Sequence, residues 1–215
     1  GVGTAFAKKA LKAGVEDPDL IEKQVNIPVY ATISHSKRQD RIYRDLKSKN
    51  SKRAILATDS PHDPAIESLR NLKTALHVGM MDVQNNCIMI AGPSPTVGKS
   101  FVSVNLAAVL TGNDKKVLLI DGDLRRGHLH DYLGIERKNG LSEFISGDIP
   151  IGQALHQTTV KGLTLIPTGA LPPNPAELLL HQRFSNCLSV LTPRYDHIII
   201  DSPPILAVTD ATIIG

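Results

Sequence analysis

Four short apolar runs recur along the chain: Cys87-Ile88-Met89-Ile90, Val117-Leu118-Leu119-Ile120, Leu163-Thr164-Leu165-Ile166 and His197-Ile198-Ile199-Ile200. Runs of this length without strict alternation predict strands buried on both faces. Between them, residues 99–110 and 176–191 read as helices. A further helix is predicted over residues 64–78, where Ile66, Leu69, Leu72 and Leu76 recur at spacings of three and four behind Asp63 as N-cap. Strands alternating with helices predict an α/β fold, a mostly parallel sheet with helices on both faces.

The front of the chain follows another pattern. Residues 5–13 suit a short helix ended by Gly14 and Pro18, and residues 27–33, rich in β-branched side chains, suit a short strand. Eight basic residues come next: Lys37, Arg38, Arg41, Arg44, Lys47, Lys49, Lys52 and Arg53, opposed only by Asp40 and Asp45. This stretch carries more positive charge than the whole chain's net +3 and leaves the remainder close to neutral or slightly acidic. It is either a solvated linker or helix face, or a surface that attracts anionic lipid. Tyr43 is its only aromatic residue, which argues against nucleic acid. The expected organisation is an arm and basic linker over residues 1–60 and a core over 61–215. Two cysteines, Cys87 and Cys187, exclude a disulfide scaffold and fit a reducing compartment. No apolar run nears the roughly 18 residues a membrane span needs, and no secretory signal is evident. Gly1 in place of an initiator methionine suggests a piece of a longer protein.

The candidate chemistry gathers at strand ends. Ligands of open α/β sheets sit beyond the carboxyl ends of the strands. There the chain places Gly92 to Ser100, then Asp121-Gly122-Asp123, then Asp201. Gly92-Pro93-Ser94-Pro95-Thr96-Val97-Gly98-Lys99-Ser100 follows a strand and opens a helix, the context of a phosphate-binding P-loop. Its backbone amides would wrap phosphates, Lys99 would face the β- and γ-phosphates, and Ser100 would bind Mg²⁺. The usual glycine six residues before the lysine is Pro93 here, with Gly92 one residue earlier. Nearby carboxylates hold the metal or accept a proton from the attacking group, although an aspartate at a strand end also serves to cap a helix.

At these residues the chain resembles the bacterial tyrosine kinases of the polysaccharide co-polymerase type, as a cytoplasmic kinase domain of the Wzc-like capsule and exopolysaccharide export proteins. The phosphate loop, residues 117–125 as a second Walker-type motif, and Asp201-Ser202-Pro203-Pro204 carry the likeness. Residues 140–144 and 172–179, with 14–18 and 28–31 in the arm, extend it. The resemblance implies a P-loop NTPase fold of the deviant Walker class shared with MinD and ParA. Those ATPases carry a second lysine where this chain has Ser94, which argues for the kinase.

The resemblance further implies ATP on Ser94, Pro95, Thr96, Val97, Gly98, Lys99, Ser100 and Phe101. Mg²⁺ would rest on Ser100, Asp121, Asp123 and Asp201, and catalysis on Lys99, Asp121 and Asp123, with either aspartate as base. Glu67, Arg70 and Lys73 match the family's oligomerisation motif, with lysine in its last place, and imply a homo-oligomeric ring, commonly an octamer. The acceptors would be tyrosines in a C-terminal tail of a neighbouring subunit. A tyrosine phosphatase and an outer-membrane polysaccharide export protein are the expected partners, and the basic stretch would face anionic lipid on the cytoplasmic side of the inner membrane. The regulatory tyrosine of Gram-negative members is replaced by His128, with Tyr132 close by. The chain stops at Gly215, before such a tail. A MinD- or ParA-like ATPase switch and a non-catalytic assembly module are the alternatives.

Overall fold

A computed structural model describes residues 18–48, 55–80, 85–206 and 210–214. By contacts the chain divides into Gly1–Thr32 and Ile33–Gly215. In the first unit, α1 (Pro18–Val25) is followed by residues without regular structure. The strand expected over residues 27–33 does not form. Asn26 has a positive φ of 53°, and the Val29 amide donates to the Glu22 carboxylate at 2.5 Å rather than to a neighbouring strand. The helix expected over residues 5–13 lies outside the described residues.

The second unit begins with α2 (Lys37–Lys47), so the basic stretch is helical as far as it is described. Its Ser36 hydroxyl accepts from the Gln39 amide as N-cap. Arg38, Arg41 and Arg44 face outward, while Ile42, Tyr43 and Leu46 pack on the core. After α3 (Leu56–Asp59) comes α4 (Pro64–Gly79), which starts where Asp63 accepts from the Ala65 amide at 2.9 Å. The sheet is built from β1 (Cys87–Ile90), β2 (Val117–Asp121), β3 (His156–Gln157), β4 (Leu163–Ile166) and β5 (His197–Asp201), in the order β1-β5-β2-β4-β3. Four strands run parallel, and β3, too short to show in the sequence pattern, is an antiparallel edge.

Alternate strand residues feed two cores, one on each face. Val117, Leu119 and Ile199 meet Ile66 and Leu69 of α4 and Val104 and Leu106 of α5 (Lys99–Leu110). Leu118, Ile120, Ile198 and Ile200 meet Leu141, Leu179, Phe184 and Leu191 on the other side. The helix predicted over 176–191 is broken at His181 into Pro175–Leu180 and Gln182–Leu191. Leu179 and Phe184 are both buried. Five residues apart on an unbroken helix, they would point about 140° apart. The extended His181 lets both reach the core, and its Nδ1 accepts from the Arg183 amide to restart the helix. Among the described residues, no helix is long and apolar enough to cross a membrane.

Candidate functional site

The phosphate loop joins β1 to α5 at the carboxyl edge of the sheet. Gly98 takes a φ of +99°, which glycine adopts without strain, and turns the chain into the helix. The pentapeptide after β5 is tied to the same loop. The Ile205 amide donates to the Gly92 carbonyl at 3.0 Å and the Leu206 amide to the Pro93 carbonyl at 3.2 Å.

Under the loop, Ile90, Asp201 and Asp121 share one register across three strands. Asp201 is almost fully buried, with one oxygen accepting from the Ser100 hydroxyl and the other from the Ser103 hydroxyl, each at 2.8 Å. Burial still holds its carboxyl above the usual range, although these bonds and the Lys99 charge oppose that. Asp121 is wholly buried. Its Oδ2 accepts from the Leu129 amide at 3.0 Å, while its Oδ1 has no partner. The neighbouring Thr168 hydroxyl, which helps hold the Asp121 carboxyl down, also reaches the Asp123 carbonyl at 3.4 Å. Burial first, and the Asp201 charge second, push Asp121 up to about 8.

Above this row lies a cavity of about 1050 Å³. Pro95, Thr96, Gly98, Lys99, Ser100 and Phe101 reach it from the loop and helix, and Asp123 from beyond β2. Ser94 and Val97 are exposed and do not line it. Asp123 uses Oδ1 to cap a turn, accepting from the amides of Arg125 and Arg126. The two aspartates read together from sequence thus occupy different surroundings, one in the cavity wall and one buried behind it. Oxygen donors of this kind, hydroxyl and carboxylate, suit Mg²⁺, which keeps several waters and relies on substrate phosphates. Among the described residues, no cluster of three or more His, Cys, Asp or Glu is placed to hold an ion.

The remaining predicted residues lie elsewhere. Glu67 and Arg70 pair with each other on α4. Lys73 donates to the Val109 carbonyl at 3.2 Å at the end of α5. Its ammonium therefore serves this chain's own helix terminus. Arg125 is held by the buried Asp210 through Nε at 2.8 Å and Nη2 at 3.1 Å. That bond raises its guanidinium further. Arg126 is exposed on the cavity rim. Tyr132 is buried against Tyr43 and His128, and burial raises its phenol. Sequence reasoning missed Ser103, which lies three residues after Ser100 on the same helix face, a spacing that could have revealed it. It also missed the side of the cavity supplied by α2, for which no local signal exists.

Residues 85–214 match the family described as AAA domain. The tyrosine-protein kinase ptk of Acinetobacter johnsonii is 44% identical over 215 residues, all of this chain and 29% of that relative's length. The kinase domain of the Escherichia coli tyrosine kinase ETK is 42% identical. It superposes with a TM-score of 0.86 over 94% of this chain and 78% of its own. The septum site-determining protein MinD of Pyrococcus horikoshii, solved with Mg-ADP, is 27% identical, with a TM-score of 0.50 over 60% of this chain and 54% of its own. The likeness to MinD thus covers 60% of the chain, whereas the kinase likeness covers 94% of it. A chain built this way belongs to the bacterial tyrosine kinase family, with the fold of a P-loop NTPase.

Proposed function

We propose that the chain is the catalytic core of an ATP-dependent protein-tyrosine autokinase that phosphorylates tail tyrosines of neighbouring subunits and regulates capsule or exopolysaccharide export. The observation that carries this reading is one cavity shared by Lys99, Ser100 and Asp123, above the buried Asp121–Asp201 row. Phosphoryl transfer depends on positioning and charge neutralisation more than on covalent chemistry, and these groups supply both. Lys99 contacts the phosphates. Ser100 and Asp201, with Asp121 behind them, would hold Mg²⁺, which would supply neutralisation of charge on the transferring group. Asp123 is the aspartate that reaches the cavity, so it takes the acceptor's proton, and Asp121 fixes the loop ahead of Leu129.

Ring assembly rests on Glu67 and Arg70 of α4. Lys73, engaged at Val109, contributes to the stability of its own subunit instead. The outward cations of α2 suit anionic lipid, and a place on the cytoplasmic face of an inner-membrane protein fits the share of its relatives that the chain spans. Export and phosphatase partners follow from the family alone.

Replacing Lys99→Met is expected to abolish phosphotyrosine on an added tail peptide, read with an anti-phosphotyrosine antibody; retained transfer would overturn the assignment. Glu67→Ala with Arg70→Ala is expected to yield monomers by light scattering, and an unchanged mass would remove the ring. The MinD-like reading predicts hydrolysis stimulated by DNA or lipid without phosphotyrosine, and Ser94 in place of the second lysine speaks against it.

A further inference from the structure

The phosphate-loop cavity has a second wall that the phosphates do not need. Gln39, Tyr43 and Leu46 of α2 line it, together with His130 and Tyr132. Both carboxamide atoms of Gln39 are buried without a hydrogen-bond partner, and so is Nδ1 of His130. Buried polar groups are nearly always paired, so an orphaned amide beside a cavity calls for an explanation. A carboxamide carries both donors and an acceptor, and a main-chain peptide group offers the matching pair. Beside it the Tyr43 and Tyr132 rings lie 6.0 Å apart at 30°, and His128 lies 5.8 Å from Tyr132. Such faces take a further ring edge-on or offset. The cavity of about 1050 Å³ lies at the upper end of the roughly 300–1,000 Å³ typical of small-molecule sites, room for a side chain beside a nucleotide.

Resting on the tyrosine-kinase reading, we propose that Gln39, Tyr43 and Tyr132 form the acceptor subsite. Gln39 pairs with a peptide group of the acceptor segment, and the two rings receive the acceptor's phenol ring. The phenol oxygen then bonds to the γ-phosphorus of ATP. The bond from that phosphorus to its bridging oxygen breaks, ADP leaves with the electron pair, and the phenol proton passes to a carboxylate of the cavity.

The test uses a fluorescein-labelled alanine peptide with one central tyrosine, bound to the chain in Mg·ADP and followed by fluorescence polarisation. Gln39→Ala and, separately, Tyr43→Leu are expected to weaken peptide binding about tenfold. Binding of a fluorescent ADP should be unaltered, and Gln39→Ala should melt no lower than the parent. Peptide affinity unchanged in both variants would overturn the proposal, as would ADP affinity falling in step, which would make the wall a base-binding face. Phosphotransfer to the same peptide separates the two readings. Binding that Gln39→Ala weakens, in a parent that transfers no phosphate, keeps the subsite and removes the kinase. Transfer by Gln39→Ala at the parental KM keeps the kinase and removes the subsite.

Discussion

Two carboxylates, both close to a chain turn, are treated in opposite ways. Asp121, at the end of β2, is wholly buried with one oxygen unpartnered, and its carboxyl is pushed up to about 8. Glu143, where Gly140 opens the helix Leu141–Ser146, has both oxygens engaged. Oε2 accepts from the Gly140 amide at 3.0 Å and the Ser142 hydroxyl at 2.9 Å, and Oε1 from the Ala170 amide at 3.0 Å. Burial opposes its charge, yet these donors hold it below the usual range. Glu143 fastens the 140–146 helix to the loop after β4, and the close packing at Gly140 leaves no alternative. A β-carbon there would lie 2.3 Å from the Pro167 carbonyl and the Gly169 amide nitrogen. A satisfied carboxylate stabilises the fold at its own position. A buried carboxylate left partly unpaired costs stability, and such groups cluster where function needs them.

The sharpest way to break that contrast is to replace each carboxyl by its amide and compare activities. Asp121→Asn should lower phosphotransfer by about a hundredfold or more, in the range that misplacing a catalytic constellation costs. Its melting temperature should stay near the parent's, because a carboxyl pushed up to about 8 is already largely uncharged at neutral pH and the amide oxygen can still accept from the Leu129 amide. Glu143→Gln should keep its rate within a few-fold. Equal losses of activity would mean that hydrogen-bond satisfaction does not separate site from scaffold in this chain.

The strands, α4 and the phosphate loop were legible because each is written locally. The runs ending at Ile90, Ile120, Ile166 and Ile200 carry their own burial, and Asp63 and Gly98 mark helix starts. The break at His181 was not legible, because residues on both sides favour helix and only the demand that Leu179 and Phe184 face one core interrupts it. The different fates of Asp121 and Asp123 were hidden for a similar reason. Two residues apart in sequence, they are separated by the sheet edge, which buries one and opens the other to the cavity. Lys73 lay in register with Glu67 and Arg70, but the end of α5 took it. Gln39 gave no sign at all, since its meaning comes from a cavity that residues far along the chain complete.

A smaller effect sharpens the comparison further. Glutamine at 143 keeps one acceptor oxygen and loses the charge that strengthens three bonds. The expected cost near neutral pH is about 1–2 kcal/mol, or roughly 2–8 °C in melting temperature for a domain of this size. The pH dependence has a definite sign. Glu143 is depressed in the folded state, so it binds fewer protons there than in the unfolded chain. Its contribution is fully present above the ordinary carboxylate value near 4.5 and fades as pH falls through and below it. Melting curves of the parent and Glu143→Gln should therefore differ at pH 7 and draw together towards pH 3. A gap that persists in acid would assign the loss to packing at Gly140 and Gly169 rather than to the carboxylate's charge.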